Sequence, residues 1–504
     1  MLKGFVRNIR PLEILKDEQV EEIHAATLDV LWETGIRIEH KKALRLLEKN
    51  GCKVDYDRMR VHFPPGLVEE CLRKCPSSFR VRSRDAQNDL VVGANRTYMM
   101  TFPGMQAVDI ATWEPRVATR KENYDGVTII DALENVHSMS PYCPYFGFKG
   151  VPSIMGIPEC LAANLRNSTK IAMCGYGNDC ELYCIGMAKA SGQEIIGMSL
   201  AAPPLTYFAE AIESLFRYVE AGLPILFGGG QVFGGTAPST IAGATVTNNA
   251  ELIAPLVLAQ IISPGTRVIA AEFAFPQNMT TGAPGFGSIG LSLHSAVFNQ
   301  IWRKYGIPVA DCNPGPSSSK RIDFQCSYEK TAAALTAALS GGNIIQFHGG
   351  LYGELSWHPL QAILDDDIAG MVGRLIQGVI VDHETIALDL IEQVGPVPGH
   401  YLKTKHTREW WRKEQFIPKA ADRMTYPEWM ATGKKSCVDY AREIIEEILA
   451  VHGVSIPLTR AQEEEIERIL EEARDYYRRK GLISDDEWET YRREVLKSSD
   501  SASA

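Results

Sequence analysis

Two titratable residues stand where short apolar runs stop. Glu272 follows the run at 268–271, and His348 follows the run at 343–347 and precedes Gly349 and Gly350. A carboxylate after such a run is costly to bury without a cation or a hydrogen-bond donor. Paired glycines let a ligand approach the backbone closely. The ends of similar runs carry mostly rings, Phe102, Tyr142, Tyr145, Phe146, Tyr176, Phe273, Phe275 and Tyr352, with Gln231 and Asn313 as polar members. Ring faces are electronegative and hold a quaternary ammonium by cation–π attraction. The set therefore suits an organic cation with Glu272 as counter-charge. Taken singly, each ring reads as packing; taken as a set, they read as a cage.

Other chemistries find less support. No serine–histidine–acid order can be placed, and no lysine ends a run where a Schiff base would form. The glycines at 228–230, with Gly234 and Gly235, lack the Lys-Ser/Thr of a phosphate loop and leave room for close backbone approach. Cys143, Cys174 and Cys312 lie near run ends and with His348 could ligate zinc, but their spacing gives no support. Cys180 and Cys184 share a helical face and read as buried thiols. Eleven cysteines without a paired framework are those of a reduced, cytoplasmic protein.

The elements that position these residues alternate. Strands are expected at 97–102, 136–142, 169–175, 195–201, 224–230, 267–274, 308–313 and 343–348. Helices are expected at 121–133, 156–166, 179–190, 208–221, 238–262, 289–304, 324–339 and 359–377. Each crossover is long enough for parallel neighbours. The count is that of an α/β fold, a (β/α)8 TIM barrel over residues 97–378, with its chemistry at the C-terminal strand ends. An open, doubly wound sheet fits the alternation as well. Residues 1–96 read as an N-terminal cap of helices and small strands, residues 379–490 as a helical extension, and residues 491–504 as a disordered tail.

Composition narrows the partners. The chain has 504 residues, 45% hydrophobic and 23% charged, with a net charge of −10. That balance argues against nucleic acid, which needs a basic face. Residues 1–10 lack the apolar core of a signal peptide. The longest apolar run, 250–262, carries Glu251 and Gln260 and is too short to span a membrane.

Several blocks go beyond pattern. GGTAPSTIAG at 234–243, Ala250-Glu251, Pro264-Gly265 and SSKRIDFQCSYEK at 318–330 resemble the trimethylamine methyltransferase (MttB) superfamily. Residues 365–370, 394–400, 405–407, Asp422-Arg423 and Trp429 to Gly433 continue the likeness, which runs from about residue 19 to 473. The resemblance implies a TIM barrel that moves a methyl group from a methylated amine to the cobalt of a cognate corrinoid protein, with no tightly bound cofactor or metal of its own. Written in standard residues throughout, the chain resembles the branch without pyrrolysine, whose members act on quaternary amines such as glycine betaine. On that basis His348 and Glu272 are the expected catalytic residues. His348, Gln231 and Asn313 are an expected polar side for either a substrate carboxylate, which a protonated His348 would meet, or the incoming corrinoid. Phe102, Tyr142, Tyr176, Gln231, Phe273, Asn313 and Tyr352 are the expected substrate contacts. A zinc-dependent thiol or methanol enzyme, and a quaternary-amine binding protein without turnover, are the alternatives. A homo-oligomer is compatible with the helical extension. The sequence departs from the family at 288–290 and at Ser327.

Overall fold

The computed structural model describes residues 2–496. Parallel strands covered on both faces read as continuous apolar runs, and eight such runs close into a barrel. In chain order they are β1 (Arg96–Thr101), β2 (Ser138–Met139), β3 (Ile171–Cys174), β4 (Ile196–Ala201), β5 (Ile225–Gly229), β6 (Val268–Glu272), β7 (Val309–Asp311) and β8 (Ile344–His348). All neighbours are parallel, and β8 returns to β1 with Ile344 beside Tyr98. That last pairing bears out the TIM barrel and excludes an open sheet. The second strand is much shorter than its apolar run, and Tyr142 lies beyond its end at φ 49°, in the left-handed region.

The crossover helices are α1 (Arg120–Ala132), α2 (Gly156–Asn167), α3 (Cys180–Ser191), α4 (Ala209–Glu220), α5 (Ile241–Ile262), α6 (Ile289–Lys304), α7 (Phe324–Ser340) and α8 (Pro359–Ile376). Their starts follow capping chemistry. Thr119 and Glu122 form a capping box before α1, and Asp323 accepts from the Cys326 amide at the head of α7. By length and composition α5 is apolar enough to cross a bilayer, but most of it is buried inside the fold. Strand alternation divides the core. Ile344 faces the barrel interior, while Ile345 and Phe347 pack outward on Ala334, Ala337, Ala369 and Val372 of α7 and α8.

The N-terminal segment closes one end of the barrel. A hairpin of Ser78–Val81 and Leu90–Gly93 sends Phe79, Val81, Leu90 and Val92 against Tyr98, Ile171, Ile196, Leu226 and Ile344. The strand Ile36–Ile38 pairs with Thr206–Tyr207 in the loop after β4, which ties the cap to the opposite, open end. Beyond α8, four short helices between His383 and Ala431 contain no buried residue. Two longer helices, α9 (Cys437–Val451) and α10 (Arg460–Arg479), follow. The α10 stripe Ile466, Ile469, Leu470 and Ala473 is buried as its spacing requires. Arg166 of α2 meets Glu463 at 2.9 Å and Glu467 at 3.0 Å. The chain stays helical through Arg492–Leu496, with Tyr491 and Val495 buried, within the stretch read as a tail. The remainder of that stretch, 497–504, lies outside the described residues.

Candidate active site

The interior of the barrel, plugged below by the hairpin, opens above into a cavity of about 140 Å3. Each strand, or the segment just after it, contributes to it. Met198 and Leu200 come from β4, Leu226 and Gly228 from β5, and Ala271 and Phe273 from β6 and its end. Each pair is two residues apart, the spacing that puts side chains on one face of a strand. Met173 of β3, Cys312 after β7 and Gln346 of β8 complete the wall. Pro103, Pro141, Tyr142 and Glu354 form the mouth. An apolar cavity of about this size accepts a guest as large as benzene.

Glu354 is the one charged side chain in this lining. Glu354 is exposed at the mouth, yet protein crowds its carboxyl group and lifts it above the usual range. Burial, and after it the charge of Glu354, pushes the Tyr142 phenol up. The Cys312 thiol is raised well above its ordinary value, first by burial and then by Glu272, Asp311 and Glu354. Phenol and thiol therefore stay protonated at neutral pH, and the wall offers no thiolate nucleophile. The two rings are fixed edge-on by neighbours. Tyr142 lies 4.7 Å from Phe146, and Phe273 lies 5.2 Å from Phe275, between ring centroids. What remains is an apolar pocket with two aromatic side chains, one amide and one carboxylate, a set suited to a cation.

Of the residues expected from the sequence, Tyr142 and Phe273 line this cavity, Tyr176 packs against the interior cluster beside it, and the other six lie away from the lining. Glu272 points outward to α6, where His294 Nδ1 approaches at 2.6 Å and Ser295 Oγ donates at 3.0 Å. Asn313 donates to the same carboxylate and, at 2.8 Å, to the Ala274 carbonyl. His348 is fully buried against α8, with Nε2 3.6 Å from Asp366 Oδ1. Its expected orientation fails because the β8–β1 register shifts between Gln346 and His348, and such an irregularity re-aims the residue beyond it. Gln231 donates to Glu251 of α5 at 2.7 Å. Phe102 lies under Gly315 and Gly350, where a Cβ on either glycine would collide with its ring. The Tyr176 hydroxyl donates to the Leu200 carbonyl at 3.4 Å. Tyr352 already carries a cation, Lys320 Nζ at 4.2 Å over its ring.

The cysteine set does not converge on a metal site either. Cys312 lines the cavity, Cys143 is buried beside Thr101 and Ser140, and Cys174 faces Cys184 of α3. Among the described residues no three histidine, cysteine or acidic side chains gather in a metal-holding group. Sequence reasoning missed Glu354 and Gln346. Strict alternation from Ile344 would have turned Gln346 inward. Glu354 lies in a loop and carried no periodic signal.

A closed parallel barrel with a cavity at its C-terminal strand ends defines a TIM-barrel enzyme. Residues 1–475 match the family trimethylamine methyltransferase (MTTB), and the chain belongs to that family of methyltransferases. A glycine betaine methyltransferase of Desulfitobacterium hafniense (strain Y51) is 29% identical over 82% of this chain and 88% of its own length. A trimethylamine methyltransferase MttB of Desulfitobacterium hafniense (strain DSM 10664 / DCB-2) is 28% identical over 92% of this chain and 94% of its own. The solved monomethylamine methyltransferase (MtmB) of Methanosarcina barkeri superposes with a TM-score of 0.46 at 14% identity, covering 92% of this chain and 88% of that one.

Proposed function

We propose that this protein moves a methyl group from a quaternary amine to the cobalt of a separate corrinoid protein. The observation that carries the reading is the wall itself: rings, one carboxylate at the mouth, and no thiolate. A quaternary nitrogen leaves as a neutral amine when its C–N bond breaks and the electron pair stays with nitrogen, so no proton has to be delivered. The reduced cobalt supplies the electron pair for the new bond to the methyl carbon. The protein has to hold the cation, exclude water and aim one methyl outward, a task of positioning.

The mouth fits that partner. Met105 and Leu355, both exposed, adjoin it through the hydrogen bonds Met105 N to Glu354 O, 2.8 Å, and Gln106 N to Leu355 O, 3.0 Å. An apolar rim around the opening suits the face of a flat macrocycle. Phe273 and Tyr142 would contact the ammonium, and Glu354 would balance its charge.

The test mixes the purified protein with cob(I)alamin and a panel of quaternary amines, and follows the cobalt spectrum. Loss of the Co(I) bands only when protein and amine are both present is the expected result. A protein that binds the amines in calorimetry and leaves Co(I) unchanged is a binding protein, and the proposal fails.

A further inference from the structure

Betaines are zwitterions, and a site built for them needs two poles. This cavity has one. Among the described residues that line it there is no lysine, arginine or histidine. The donors expected to meet a carboxylate do not line it. His348 lies against Asp366, Gln231 against Glu251, and Asn313 against Glu272. The donors left inside are the Gln346 amide, the Tyr142 hydroxyl and the Cys312 thiol, all uncharged.

At the mouth stands Glu354, and a betaine methyl aimed at the cobalt would leave its carboxylate in the same small volume. In glycine betaine a single carbon separates ammonium from carboxylate, so the guest cannot bring one near Glu354 and keep the other away. Two like charges a few ångströms apart disfavour each other. A hydroxyl has no such conflict, because it can accept from Gln346 or donate to Glu354.

We infer that the cavity takes a quaternary ammonium that carries no carboxylate, a choline-like or tetraalkylammonium cation, with Glu354 both as its counter-charge and as the group that turns betaines away. The inference rests on the reading of this cavity as the methyl-donor site. It departs from the substrate named for the betaine-directed relative. Glu354 is a specificity residue here, acting by charge alone.

Calorimetry on the purified full chain with tetramethylammonium, choline and glycine betaine tests it without any corrinoid. Tetramethylammonium and choline should bind, and glycine betaine should bind at least about tenfold more weakly, the effect of one like-charge neighbour. In Glu354→Gln the two cations should lose about tenfold while glycine betaine gains, so the ratio collapses. Glycine betaine binding as tightly as choline to the wild-type protein would overturn the inference and leave methyl transfer standing. No heat from any of the three would remove the cation site itself, and the proposed function with it. The wild-type comparison decides even if the variant does not fold.

Discussion

Glu272 and His294 meet behind the barrel wall, Oε1 to Nδ1 at 2.6 Å, with neither side chain exposed. Ser295 and Asn313 donate to the same carboxylate, so one acidic side chain ties β6 to α6 and to the segment after β7. Removing one member of a buried polar cluster strands the others, at a cost of about 3–5 kcal/mol. Glu272→Ala should therefore lower unfolding free energy by that amount in urea titration. Its affinity for tetramethylammonium, measured where the variant is still folded, should match the wild type. A variant of normal stability that no longer binds the cation would put Glu272 back in the active site.

How much of this could be read beforehand depended on phase. The barrel was legible because most strands are buried on both faces and so print short, mostly apolar runs. The same property hides which residues face inward. Glu272 and Phe273 are consecutive and must face opposite sides of their strand, yet both looked like strand-end residues. Phe273 reached the cavity and Glu272 the helix layer. At β8 the phase itself changes between Gln346 and His348, and nothing in the residues NIIQFHGG announces it. Glu354 was beyond reach for another reason, since a loop residue has no period to place it.

Glu251 of α5 makes stability depend on pH. It is fully buried, accepting from the Leu205 amide at 2.7 Å and from Gln231 Nε2 at 2.7 Å. Burial nevertheless pushes its carboxyl from 4.5 up to about 7. The folded state thus holds this proton more tightly than the unfolded chain does. Its contribution is complete below about 4.5 and is lost as pH rises to about 7, after which it stays lost. A shift of that size is worth about 3 kcal/mol. In Glu251→Gln, with the Gln231 amide turned over to accept, the loss disappears. Thermal unfolding should show the variant gaining on the wild type between pH 5 and pH 8, and parallel curves across that range would contradict the assignment.

Phe273 tests the ring contact itself. Its ring lines the cavity, 5.2 Å from the Phe275 ring between centroids. Leucine at this position keeps an apolar wall and removes the negative ring face. A cation–π contact contributes about 0.5–2 kcal/mol depending on how dry the site is, which corresponds to a loss of roughly 2- to 30-fold in affinity. Phe273→Leu should weaken choline binding within that range in calorimetry. The carbon isostere of choline, neutral at its quaternary centre, separates charge from shape. If the ring acts through its quadrupole, the isostere should bind the variant and the wild type nearly alike. If it acts only as a wall, the two ligands should lose affinity together, and the cavity would then recognise its guest by fit and by Glu354 alone.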